Sequence, residues 1–259
     1  FFVNAAIGIV WILICAVWFK NFPSEMKNIS EAEKQKIESG CRHNKQQHLI
    51  PLKYIFRNST VWSLMFMYFC LQWANYFFVA WMPVYLQEGR HFSEEQAKRV
   101  IFFVFVAGMV GLLAGGFTAD WFVRNKGLRF GRRFTGMTGI GMSGVLIFLT
   151  AFIHQNNIAA ITLVAANACY GFCVMSSYAV CNDIARNNSG TVTGAMNFFG
   201  QAGAFFLAIV FGNIVQATNN FNYPLFVVAF VLAIGFLLWL LIDPLKQLNI
   251  PENVEKAST

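Results

Sequence analysis

The chain has 259 residues, of which 57% are apolar and only 12% charged, and its 19 Lys and Arg against 12 Asp and Glu give a net charge of +7. A soluble domain carries about a quarter of its residues as charges, so this composition excludes a water-soluble globule. The positive excess does not build a nucleic-acid surface either, because the cations fall in short runs between long apolar stretches and cannot line one face.

Apolar windows of about 20 residues, the length that crosses a hydrocarbon core, fall at 1–19, 61–86, 100–123, 134–153, 158–181, 191–215 and 223–242. The first is a leading piece and the other six are full spans. Its start lacks the cationic region of a signal peptide, so residues 1–19 are expected to close a helix whose upstream part is missing. Residues 20–60 form the one extended polar stretch. There Ser30-Glu31-Ala32-Glu33 has the spacing of a capping box ahead of a short amphipathic helix, and Leu52 to Arg57 mixes apolar and basic side chains as a headgroup-level segment does. If 20–60 is cytoplasmic, alternation puts sixteen of the 19 Lys and Arg inside and leaves Arg90, Lys98 and Arg99 outside, as the positive-inside rule demands. The tail, 243–259, then also lies inside.

No Asp, Glu, Lys or Arg sits well within a span, which leaves no acid, base or metal cluster for an enzyme and no internal proton relay. Five of the six cysteines are in apolar spans, and Cys169 and Cys173 have no His or carboxylate neighbour, so neither a disulfide framework, a metal nor a cofactor is expected. The uncharged polar residues are more informative. Tyr68, Gln72, Asn75 and Tyr76 share one helical face. Asn167, Tyr170, Ser177 and Tyr178 make a second polar stripe, and Asn197 and Gln201 stand one turn apart in a third helix. Such groups can do no more than bond neighbouring helices, at about 0.6 kcal/mol each. Yet Tyr178 before one membrane exit and Asn197 after the next entrance lie at similar heights, so both can reach one solute. Tyrosines with uncharged amides suit a hydroxyl-rich, sugar-like ligand. Small-residue stripes, Gly108, Gly111, Gly115 and Gly116, then Gly136, Gly139, Gly141 and Gly144, then Gly190, Gly194, Gly200 and Gly203, allow close and sliding helix contacts.

The most specific string runs from Gly115-Gly116-Phe117-Thr118-Ala119-Asp120 through Arg124 to Gly131-Arg132-Arg133. It resembles the glycine–aspartate–basic-loop signature of the major facilitator superfamily, in the copy between the eighth and ninth helices. The stretch from Tyr76 through Trp81-Met82-Pro83 to Leu86 resembles the seventh-helix ending of that superfamily's anion:cation symporter branch. Asn182-Asp183-Ile184-Ala185 and the run from Gly190 through Asn197 to Gly203 are similar to its tenth-to-eleventh-helix segment. Arg186 stands where the branch often has proline, and no cation lies between Arg57 and Arg90 where the vesicular glutamate relatives carry one.

The resemblance implies an all-α membrane protein: the end of helix six (1–19), a central cytoplasmic loop (20–60) and the six-helix C-terminal bundle (61–242) of a twelve-helix fold, with a cytoplasmic tail. It implies a secondary transporter that moves an organic anion, a hexuronate or aldonate, by proton-coupled alternating access in a bacterial inner membrane. Its partners would be the anion, the proton, the lipid bilayer and a missing N-terminal half, in which the family places the coupling carboxylates and a carboxylate-binding arginine. Tyr68, Gln72, Asn75, Tyr76, Ser177, Tyr178, Asn197 and Gln201 would then bind solute, and Gly116, Asp120 and Arg124 would gate. The alternatives are a sialic-acid or phosphate carrier of the same branch, or a stand-alone six-span channel or receptor subunit.

Overall fold

The computed structural model describes residues 2–19, 30, 32–33, 55–185 and 188–248. They belong to two compact units, Phe1–Gln47 and His48–Thr259. In the first, α1 (Phe2–Trp18) is apolar along its whole length and buries no side chain within its own unit, the character of a helix whose surroundings are lipid or another helix. Past it, the Glu33 backbone N–H donates to Ser30 Oγ at 3.2 Å, which is one of the two bonds of the expected capping box. The rest of that polar stretch, up to Tyr54, lies outside the described residues, as does the tail from Asn249 onward.

The described residues of the second unit form six long helical rods. The first is α2 (Ser59–Tyr76), started by the Asn58 side chain, which accepts from the Thr60 N–H. Proline at 83 should break it, because the ring removes a donor and crowds the preceding turn. Instead the rod widens into π-helical turns at Phe77–Trp81 and Tyr85–Gly89 around the short Met82–Val84 segment, with the Met82 N–H bonding back to the Phe77 carbonyl. The wider turn absorbs the proline, and the span continues to Gly89.

The next rods are α3 (Glu94–Lys126), α4 (Leu128–Thr150), α5 (Asn156–Ala185), α6 (Ser189–Thr218) and α7 (Tyr223–Trp239). Helix α3 begins six residues ahead of the sequence-based boundary, because Ser93 and Gln96 form a reciprocal capping box. Gly127, at φ 90°, makes the tight turn into α4, a backbone conformation that a side chain would strain. Helix α5 lies between α3 and α4, α7 joins α4 to α2, and α2 packs along α6.

Four rods, Ser59–Gly89, α3, α5 and α6, are each long and apolar enough to cross a membrane. The sequence windows gave six. Helix α7 falls short at 17 residues, and α4 carries Arg129, Arg132 and Arg133 at its start and many Gly, Thr and Ser residues beyond them. The reason is visible in its packing: α4 buries Thr135, Gly136, Gly139, Ser143, Gly144 and Thr150 against its neighbours, so that small and weakly polar residues serve helix contact instead of lipid.

Candidate functional site

Three helices bring the predicted polar residues to one place. Tyr178 of α5 donates to Asn197 Oδ1 of α6 at 3.2 Å, and the hydroxyls of Tyr68 on α2 and Tyr178 are 3.1 Å apart. Because the Tyr178 proton is committed to Asn197, Tyr68 is the donor between the two tyrosines. Asn197 Nδ2 donates to the Thr193 carbonyl at 3.0 Å and keeps its second N–H. Beside this chain, Tyr170 donates to Gln72 Oε1 at 3.3 Å, which leaves the Gln72 amide nitrogen without a partner among the described residues.

Gly200 makes the arrangement possible. A Cβ there would come within 2.7 Å of the Tyr68 ring and 2.8 Å of Gln72 Cγ, closer than carbon atoms approach. Only glycine lets α6 lie against those two side chains.

The remaining predicted residues divide. Asn75 and Tyr76 are half-buried and Gln201 is exposed, and none of the three has a side-chain hydrogen bond among the described residues, so their donors and acceptors are open. Ser177 is different: it is fully buried and its hydroxyl donates to the Cys173 carbonyl one turn back at 3.3 Å. It is closed off from solvent, on the same helical face as Tyr170. Asn167, from the same stripe, donates to the Val104 carbonyl of α3 at 2.8 Å and holds two helices together. Tyr170, which the sequence placed in a stripe but not in the site, does touch it. The signal was its spacing of eight residues from Tyr178, two turns of one helix.

At the end of the bundle where α3, α4 and α5 meet, Arg132 Nε donates to Asp183 at 2.9 Å and Arg132 Nη1 to Asp120 at 3.2 Å. Asp120, expected with Gly116 and Arg124 to gate, is thus paired with Arg132 in this structure. Arg124 is exposed and has no ion pair among the described residues. The α3 register points it outward, whereas Arg132 returns over Asp120 after the Gly127 turn. Gly116 has open space where a Cβ would go, with Met175 Cε the nearest atom at 4.0 Å. Sequence reasoning counted Arg90 only as an outside charge. The structure buries it: Nε donates to the Tyr85 hydroxyl at 2.7 Å, Nη2 to the Thr150 carbonyl at 2.6 Å and Nη1 to the Ile153 carbonyl. It satisfies carbonyls left over at the end of α4.

A profile of the Major Facilitator Superfamily matches residues 1–208 and 127–258, which together run through nearly the entire chain. The chain belongs to the Major Facilitator Superfamily. It is an all-α, multi-pass integral membrane protein of that fold. Similar relatives include the probable sulfoacetate transporter of Cupriavidus necator, 29% identical over 99% of this chain and 60% of that protein. The hexuronate transporter of Bacillus subtilis is 29% identical over 83% of the chain and 50% of its own length. The probable L-galactonate transporter of Escherichia coli is 22% identical over 93% and 56%. The chain thus spans a little over half the length of these superfamily members. The relatives carry organic anions in their names, as the anion:cation symporter resemblance implies.

Proposed function

We propose that this chain forms one half of the pathway of a secondary transporter for small organic anions, with hexuronates and aldonates as the first substrates to test. The observation that carries the reading is the Tyr68–Tyr178–Asn197 hydrogen-bonded chain, which links α2, α5 and α6 in a bundle whose spans hold no internal charge. Open amides on Asn75, Asn197 and Gln201 and the Tyr76 hydroxyl adjoin the same helices. Left against lipid, such groups lack partners, which is costly. Against a water-filled cavity they can bond the hydroxyls of a sugar acid, with tyrosine rings against its apolar face.

In this reading the solute exchanges hydrogen bonds with groups that are already oriented. Tyr178 holds the Asn197 carbonyl, so the free Asn197 N–H is aimed before the solute arrives, which reduces the ordering cost of binding. No cation among the described residues adjoins this site, so the carboxylate is held by hydrogen bonds here or by a charge from elsewhere in the transporter. Proton coupling belongs to the same proposal and rests on the symporter resemblance. The Asp120–Arg132–Asp183 cluster ties α3, α4 and α5 together at the side read as cytoplasmic, and access on that side requires it to loosen while the other half of the transporter rocks away.

The test is uptake and counterflow in proteoliposomes with galacturonate, glucuronate, galactonate, sulfoacetate and phosphate. Saturable counterflow of a sugar acid, lost in Asn197→Ala with normal expression, is the expected result. Transport of sulfoacetate alone moves the substrate class to small sulfonates, as the 29% identity to the Cupriavidus protein would favour. Ungated conductance without counterflow, or normal uptake by Asn197→Ala, overturns the reading.

A further inference from the structure

On the flank away from the polar site, α4 and α7 enclose an apolar groove of about 620 Å³, lined by Met137, Gly141 and Phe148 on one side and Ala229, Ala233 and Phe236 on the other. Neither helix contributes a residue to the tyrosine–asparagine chain. Gly141 lies against the Phe236 ring, which an added Cβ would meet at 3.0 Å, and Ala233 on the α7 side carries only a methyl group. From Met137 to Phe148 it runs about 16 Å along the helix, close to the depth of one leaflet of a hydrocarbon core about 30 Å thick.

At its Arg-rich end the groove shares Met137 with a second hollow lined by Lys126, Arg129 and Arg133 with Phe130 and Phe134. Lys126 lies 5.0 Å above the Phe130 ring and 5.6 Å from that of Phe122, with no carboxylate partner among the described residues. Arg129 is 3.5 Å from Asp243 and remains half exposed. Arg133 uses Nε on the Ile242 carbonyl at 2.7 Å, so its terminal nitrogens stay available. Among the described residues, three cations thus face one carboxylate at the mouth of a leaflet-deep apolar slot.

We infer that this composite groove is a binding site for one anionic phospholipid, its phosphate between Lys126, Arg129 and Arg133 and an acyl chain along the α4–α7 slot. Charge complementarity selects the headgroup, since basic pockets between spanning helices at the membrane surface suit anionic lipids. Met142, Val145, Phe148 and Phe230 along the groove are exposed, so its walls suit an acyl chain. A zwitterionic lipid fits the slot equally well but gains little from three cations.

The experiment is native mass spectrometry of the full-length protein released from nanodiscs made with equal phosphatidylglycerol and phosphatidylcholine. A retained phosphatidylglycerol is expected. The double variant Lys126→Gln/Arg129→Gln is expected to weaken its retention by about 30-fold, the weight of two basic side chains near an anionic headgroup. Ala233→Trp is expected to remove the adduct with the basic mouth intact; Ala233 is exposed, so the indole fills the slot without entering the packed core. Unchanged melting temperature in each variant shows that the fold is kept. Equal retention of both lipids overturns the inference, as does a phosphatidylglycerol adduct that survives Ala233→Trp. Displacement of the lipid by inorganic phosphate alone, or a dimer that Ala233→Trp dissolves, overturns it as well.

Discussion

Two glycines five residues apart on α3 are expected to respond in opposite ways to the same added methyl group. At Gly111, a Cβ would lie 2.7 Å from the carbonyl carbon and 2.8 Å from the Cα of Ala168 on α5, with the carbonyl oxygen nearer still. Carbon contacts settle near 3.5 Å or more, so α3 and α5 would have to part by at least about 0.8 Å. Backbone cannot rotate away as a side chain can, which puts the overpacking cost near the top of the usual range, about 3 kcal/mol. Alanine returns about 1 kcal/mol of helix propensity, leaving Gly111→Ala destabilised by about 2 kcal/mol. At Gly116 the nearest atom is Met175 Cε at 4.0 Å, so Gly116→Ala is expected to gain up to about 1 kcal/mol. The two variants should then differ in melting temperature by about 6–12 °C, at 2–4 °C per kcal/mol for a domain of this size. Thermal unfolding of the purified protein in one detergent, followed by tryptophan fluorescence or size-exclusion survival, reads that difference. Equal melting temperatures for Gly111→Ala and Gly116→Ala would refute the packing argument. If Gly116 also serves gating, uptake falls in its variant while stability does not.

Asp183→Asn, which removes the better-shielded partner of Arg132, is expected to lower stability by about 1.5–3 kcal/mol, whereas Asp120→Asn, at a 64% exposed carboxylate, should cost under about 1 kcal/mol; paired thermal melts compare them. Arg90→Met leaves the Thr150 and Ile153 carbonyls and the Tyr85 hydroxyl without their donor, for an expected loss of about 2–3 kcal/mol, and the KM for solute in the surviving protein should not change. Tyr178→Phe breaks the link between Tyr68 and Asn197 while keeping the ring, so uptake should drop with a melting temperature within a few degrees of the parent. A wild-type uptake rate in that variant would remove the hydrogen-bonded chain from the solute pathway.

Much of the fold follows from the sequence because the bilayer restricts what can cross it. Every backbone polar group in a span has to be satisfied internally, so an apolar window without charges becomes a helix whatever its neighbours are, and the six windows from 61 to 242 all fall on the rods of the second unit. Their ends were less legible. The Ser93–Gln96 box and the Asn58 cap extend two helices beyond their apolar windows, and Pro83 sits in a short α segment between two π-helical stretches, an outcome that depends on how the surrounding bundle packs.

For the site, helical periodicity was enough to put Tyr68 and Gln72 on one face and to match Tyr178 in height with Asn197. Periodicity orients a residue on its own helix and says nothing about which neighbour that face meets. Only the tertiary structure separates Ser177, closed off from solvent, from Tyr178 one position on. It also gives Asp120 to Arg132 instead of Arg124, through a turn that hinges on the φ of Gly127, and it buries Arg90. These partnerships join residues from different helices, and their geometry is fixed by how closely the glycines let those helices approach. The sequence determined which segments are helical and which faces are polar; packing between helices decided which polar groups meet.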